Sequence, residues 1–196
     1  PDYDTMFARF QKQGVLTDEQ IERAIDNTRV FEQCEEIYLD KEIKMPSAYP
    51  HFTPDEKIAE LKKHINQRFA VIAKEEGIKG EKLKEYIKGI REEMKVIEDT
   101  KEINTSDYFL LNEKIVDLAV NKYDGVLTRT GRGSCGAFYI NRILGMTQID
   151  RFTSPIKLYP ERFISTARLL ENRAMPDIDY NVASQEPFVL ASKEVL

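Results

Sequence analysis

The 196-residue chain has no tryptophan, two cysteines and two histidines, and nothing in it approaches the roughly 18–20 consecutive apolar residues of a membrane helix. Cys34 and Cys135 stand about a hundred positions apart and neither belongs to a CxxC pair, which argues against a disulfide framework or a structural zinc site. Both are expected to be reduced thiols. His51 and His64 are isolated, so they do not supply the His/Asp clusters of a multinuclear metal site. His64 falls on the polar side of its helical pattern and is expected to face solvent. No charged-then-apolar segment opens the chain, so no secretory leader is expected and a cytoplasmic setting is the default. With Pro1 rather than Met at its start and no closing element after Ser192, the chain is expected to be a piece of a longer protein.

Hydrophobic residues at 41% and charged residues at 32% place the chain in the globular range rather than the disordered one. A net charge of −5 argues by itself against a nucleic-acid binder, because phosphate neutralisation normally leaves a basic footprint. The average hides an asymmetry. From Val126 to Arg173 eight cations face three acids, a local +5 that leaves −10 for the rest. Seven of the eight are Arg, whose planar fork of donors grips phosphate oxygens in pairs, so the enrichment points to phosphate contacts more than to solubility.

Helical signals dominate the first two thirds. Thr17 and Gln20 have the spacing of a capping box, and the register through Ile21, Ala24 and Ile25 continues past Cys34 and Ile37 to about Tyr38. Pro46 and Pro50 then impose an extended connector. Thr53-Pro54-Asp55-Glu56 opens a second amphipathic helix carrying Ile58, Leu61, Ile65, Phe69 and Ile72. A third, after Gly80, spaces Leu83, Ile87, Ile90, Met94 and Ile97 by fours and threes, a stripe that serves either an intramolecular core or a partner helix, with the core favoured. A further helix starts at Ser106 or Asp107 and stops at Asp124-Gly125. Val126-Leu127-Thr128 reads as a strand, Ala137 to Leu144 as a helix stopped by Gly145, and Ile178-Asp179-Tyr180 as a second strand.

Two pieces carry chemistry. Gly131-Arg132-Gly133-Ser134, between a strand and a helix, is suited to presenting backbone N–H groups, a hydroxyl and a guanidinium to a phosphate. It is neither a Walker A loop nor a complete GxGxxG fingerprint. Met175-Pro176-Asp177-Ile178-Asp179 places two carboxylates two residues apart, hence on one side of an extended backbone, where a hard cation such as Mg²⁺ offsets their repulsion. A phosphate cradle, a DxD pair and an Arg-rich link are the parts nucleotidyl transfer needs.

In order, Gly131-Arg132-Gly133-Ser134, Leu144-Gly145-Met146-Thr147-Gln148-Ile149-Asp150, Glu161-Arg162-Phe163 and Met175-Pro176-Asp177-Ile178-Asp179 resemble the GRGS, LGITDID, ERF and MPDID motifs of family C bacterial replicative DNA polymerase α subunits. Asp107-Tyr108-Phe109-Leu110 is similar to that family's DYFLI segment, and Ala24 to Thr28 with Cys34 to the helix ending its PHP domain. The resemblance implies a helix-rich α+β fold: residues 1–46 as the end of a PHP-type domain with its connector, and 47–196 as part of a polymerase β-like nucleotidyltransferase palm. It further implies Asp177 and Asp179 as the catalytic, metal-binding pair for two Mg²⁺ ions, and Gly131, Arg132, Gly133, Ser134 and Arg162 as nucleotide-binding residues. The implied ligands are a dNTP and primer–template DNA, with other replisome subunits as partners and no membrane.

The departures are specific. Tyr180 and Asn181 stand where the family continues PDIDID, Cys135-Gly136-Ala137-Phe138 replaces a run of small residues, and the ERF-to-MPDID spacing is four longer. Arg168 and Arg173 fall in that longer stretch without an assigned role. The third acid of the family's triad lies well downstream, and Glu186 and Glu194 lack its context. The expected reading is therefore a polymerase fragment inactive alone, with a non-catalytic nucleotide- or DNA-binding module derived from a palm as the alternative. A purely helical interaction domain built on the Leu83–Ile97 stripe is the third reading.

Overall fold

Asp2, Thr17 and Thr53 each open a helix by offering a side-chain oxygen to a backbone N–H that has no partner within the helix. The structure, a computed structural model, describes residues 2–34, 45–172 and 175–196. The chain forms two compact units, Pro1–Asp40 and Lys41–Leu196.

In the first unit, helix α1 (Tyr3–Gln13) starts with Asp2 accepting from Thr5 N at 2.8 Å. The sequence pattern did not signal this helix. Helix α2 (Asp18–Asp26) carries the expected Thr17–Gln20 capping box and buries Ile21 and Ile25. It does not run on to Cys34. A 3₁₀ helix, Asn27–Gln33, follows, and Thr28 Oγ1 donates to Ile25 O at 2.7 Å, a local bond that competes with helix continuation. The expected extension through Glu36, Ile37 and Tyr38 lies outside the described residues.

The second unit is built on three long helices, α3 (Pro54–Glu75), α4 (Gly80–Asp99) and α5 (Thr105–Lys122). The stripe of α4 packs into this chain's own core through Ile90, Met94 and Ile97, with Leu83 against its edge. Short helix α6 (Tyr139–Ile143) touches both α3 and α4, α7 (Thr166–Asn172) lies on α4, and α8 (Glu186–Val195) packs along α5. Two aromatic clusters fill the centre. Phe109, Phe138 and Phe163 have centroids 5.3–6.3 Å apart, and Tyr86, Tyr139 and Phe152 4.3–5.1 Å apart. Each such ring contributes about 1.5–3 kcal/mol by burial. Gly89 lets Phe152 reach α4: a Cβ there would lie 2.5 Å from Phe152 Cζ.

The α+β class with a polymerase β-like palm does not hold. Among the described residues there is no strand or sheet, only an isolated antiparallel bridge between Leu127 and Val182. Two hydrogen bonds flank it, Thr128 N to Asn181 O at 2.7 Å and Ala183 N to Val126 O at 2.9 Å. Side chains hold other carbonyls of the two segments: Gln148 Nε2 donates to Leu127 O at 3.1 Å, and the Tyr108 hydroxyl donates to Pro176 O. Pro176 itself has no N–H to give. The expected strand at Ile178–Tyr180 is an extended run without regular pairing.

His64 also departs from expectation. Its ring bridges two helices, Nδ1 meeting Glu113 Oε2 at 2.7 Å and Nε2 meeting Glu60 Oε1 at 3.1 Å, with a quarter of the side chain exposed. Arg68 joins it, its Nε 2.7 Å from Glu113 Oε1. Among the described residues no helix is long and apolar enough to cross a membrane.

Candidate functional site

The Leu127–Val182 bridge lays the residues before the glycine-rich turn beside the residues after the aspartate pair. Asn181 Nδ2 tightens this by donating to Thr130 O at 3.0 Å and Thr130 Oγ1 at 2.9 Å. Asp179 consequently lies directly on the turn. Gly133 sits at φ +62°, and a Cβ built there would overlap Asp179 Oδ2 and approach its Cγ to 3.0 Å. Glycine is required twice over at this point, by the left-handed backbone and by the space the carboxylate occupies.

Alternation along the extended run separates two sets of side chains. Ile178, Tyr180 and Val182 pack against the core, and the Tyr180 hydroxyl donates to Asn112 Oδ1 on α5. Asn112 Nδ2 in turn donates to Tyr108 O at 2.7 Å, and Tyr108 holds Pro176 O, so the segment is fastened to α5 on both sides of the aspartates. Asp177 is exposed, and the Asp179 side chain is 42% exposed. Burial and the nearby Asp177 charge push the Tyr108 hydroxyl's pKa well up. Cys135 is fully buried, and burial together with the Asp179 charge pushes its thiol up to about 12.

Both aspartates present oxygen donors to solvent. Arg132 Nε is 3.9 Å from Asp179 Oδ1 with 72% of its side chain exposed, a weak surface pairing that leaves the carboxylate available. Among the described residues no three His, Cys, Asp or Glu side chains converge into a metal cage. The donor set suits Mg²⁺ held by one or two carboxylates with substrate phosphates completing its shell. Asp179 also borders an otherwise largely apolar cleft of about 620 Å³ between this segment and α8.

The phosphate cradle is narrower than expected. The first N–H groups of α6 are already taken: Glu93 of α4, 1% exposed, accepts from Tyr139 N and Ile140 N at 2.9 Å each and from Arg151 Nε at 2.7 Å. Burial pushes the Glu93 carboxyl up to about 7. Ser134 instead precedes the 3₁₀ turn Cys135–Ala137, whose first carbonyl, Cys135 O, accepts from Asn141 Nδ2 at 2.9 Å. That turn packs against the 3₁₀ helix Pro160–Arg162, in which Arg162 is exposed.

The arginines of the basic segment divide into two groups. Arg151 binds Glu93, and Arg142 pairs with Glu76 while donating to the Tyr139 hydroxyl at 3.0 Å, so both are structural. Arg129, Arg132, Arg162 and Arg168 are exposed. Arg173 lies outside the described residues.

The model of the bacterial DNA polymerase III alpha NTPase domain matches residues 57–187, more than half of the 196-residue chain. The chain belongs to that family. The match spans the glycine turn, the basic segment and the aspartate pair, and ends within α8. No curated protein and no solved structure matches the chain. Membership makes a polymerase-related role in DNA replication, and contact with DNA, the coarse functional conclusion.

Within this family member, Gly133 and Asp179 meet and Arg132 stands beside them, while Asp177 is exposed. Glu194, without context in the sequence, pairs with Lys122 of α5 at 2.6 Å. The sequence reading missed Glu93, Asn181 and the buried Lys57–Asp107 ion pair, which Ser47 joins by donating to Asp107 Oδ1 at 2.9 Å. One signal marked Glu93: it stands three residues after Ile90 and four before Ile97, an acid inside the apolar stripe.

Proposed function

We propose that this chain supplies part of the nucleotidyl-transfer centre of a Mg²⁺-dependent, DNA-templated DNA polymerase, and that it does not catalyse alone. The observation that carries the reading is the seating of Asp179 on Gly133, within the matched family region. Asp177 and Asp179 are the metal-binding pair. Bound Mg²⁺ supplies activation of the attacking 3′-hydroxyl and neutralisation of charge on the pyrophosphate. The chain's own residues do the orienting: the Gly131–Ser134 turn and the Ser134 hydroxyl receive the triphosphate, and Arg132 and Arg162 hold its oxygens in line. Exposed Arg129 and Arg168 extend the cationic surface toward primer–template DNA. Other replisome subunits are the expected partners of the complete polymerase.

In the full-length polymerase, Asp177→Asn and Asp179→Asn are each expected to lower dNTP incorporation at least a thousandfold with folding intact. Near-normal incorporation by both variants defeats the assignment. Titration of this chain with Mg²⁺–dATP is expected to show binding that the Asp179→Asn variant loses.

A further inference from the structure

Asn181 makes three contacts at one place. Its carbonyl accepts from Thr128 N at 2.7 Å, and its Nδ2 donates to both Thr130 oxygens, at 3.0 and 2.9 Å. Thr130 immediately precedes the glycine turn, and Asn181 lies two residues beyond Asp179. An extended backbone returns to the same side every second residue, so Asn181 reaches Thr130 on the side where Asp179 reaches Gly133. The opposite side is held by burial of Ile178, Tyr180 and Val182. Burial is non-directional; it fixes how deep the segment lies but not how far along the turn it slides. The bonds flanking the Leu127–Val182 bridge give direction beyond Asp179, and the carboxamide adds a directional bond to the residue that enters the glycine turn.

We propose that Asn181 is a positioning residue, whose side-chain amide sets Asp179 in register with Gly133. The functional side of this rests on the reading of Asp179 as a site residue. The chemistry requires a donor at this position. A carboxylate of the same size has only acceptors and would confront the Thr130 carbonyl. Asn181→Asp is therefore expected to be worse than Asn181→Ala.

The experiment uses Cys135 as a reporter, since it is fully buried beside Asp179. In a Cys34→Ser background, native-state modification of Cys135 by 4,4′-dithiodipyridine is followed beside thermal unfolding and Mg²⁺–dATP titration. Asn181→Ala is expected to speed modification about tenfold and weaken Mg²⁺–dATP binding about five- to thirtyfold, with a melting temperature within a few degrees of the parent. Asn181→Asp is expected to speed modification more than Asn181→Ala does. Unchanged Cys135 rates in both variants overturn the proposal, as does faster modification with unaltered nucleotide affinity or with a collapse of the melting temperature. If the unsubstituted chain binds no Mg²⁺–dATP, the functional reading falls, and the thiol rates alone decide whether Asn181 positions Asp179.

Discussion

Between Pro54 and Lys122 three helices satisfy most of their own backbone groups, whereas between Val126 and Ala183 short turns share that task with side chains reaching across the sequence. Glu93 closes the start of α6, Asn141 the Cys135 turn, Gln148 and Tyr108 the carbonyls of Leu127 and Pro176, and Asn181 that of Thr130. The first region is robust because its hydrogen bonds are local and its stripes are redundant. The second is specific because each bond is made once, between residues 6–68 positions apart. The residues proposed to bind nucleotide and metal lie in the second region, with the first as their frame.

Glu93→Ala tests the joint between the two regions and carries the largest expected effect. It removes the partner of Arg151 and orphans two helix N–H groups, a loss of about 3–5 kcal/mol by thermal or denaturant unfolding. Hydrogen exchange at Tyr139 and Ile140 is expected to accelerate more than at α3; uniform acceleration would break the assignment of Glu93 as their cap. Leu61→Ala, wholly within the frame, is expected to cost about 2–5 kcal/mol. Under conditions where the variant remains folded it leaves Mg²⁺–dATP affinity unchanged, and a tenfold affinity loss would erase the distinction between frame and site.

Gly133→Ala should do the reverse. Crowding against Asp179 and the left-handed backbone together cost about 1–3 kcal/mol, while Mg²⁺–dATP binding weakens at least tenfold. A smaller effect is electrostatic. Because burial raises Glu93 from the ordinary 4.5 to about 7, the folded chain retains a proton that the unfolded chain has released across that window. Its contribution is complete below pH 4.5 and is lost as pH rises through 7, so the melting temperature should fall by a few degrees between pH 5 and 7.5. Glu93→Gln should flatten that slope. The mildest test is Thr53→Ala, which removes one side of a capping box and is expected to cost about 1 kcal/mol with the site untouched.

Much of the frame was legible in the residues. Thr17–Gln20 and Thr53–Glu56 predicted helix starts that the structure contains, and the Ile90–Met94–Ile97 stripe predicted a buried face, because capping and amphipathic periodicity act over a few neighbouring residues. Short-range pattern failed where a competing contact was distant. His64 looked solvent-facing because Glu113, 49 positions away, does not enter the periodicity of α3. Arg142 and Arg151 count toward the Arg-rich segment that points to phosphate contacts, and their carboxylate partners, Glu76 and Glu93, lie on other helices where the sequence pattern does not reveal them.

By itself the sequence determined the long helices, the glycine turn, the paired aspartates and, through the order of its motifs, the polymerase family. Only the tertiary structure decided that Leu127 and Val182 share one isolated bridge rather than a sheet, and that Asp179 rests on Gly133. It also decided that Glu93 rather than an external phosphate caps α6. The physical reason is range. Helices and turns are written by bonds between near neighbours, but a β pairing, a buried carboxylate and a carboxamide clamp each depend on which distant group the packed core brings within 3 Å or so.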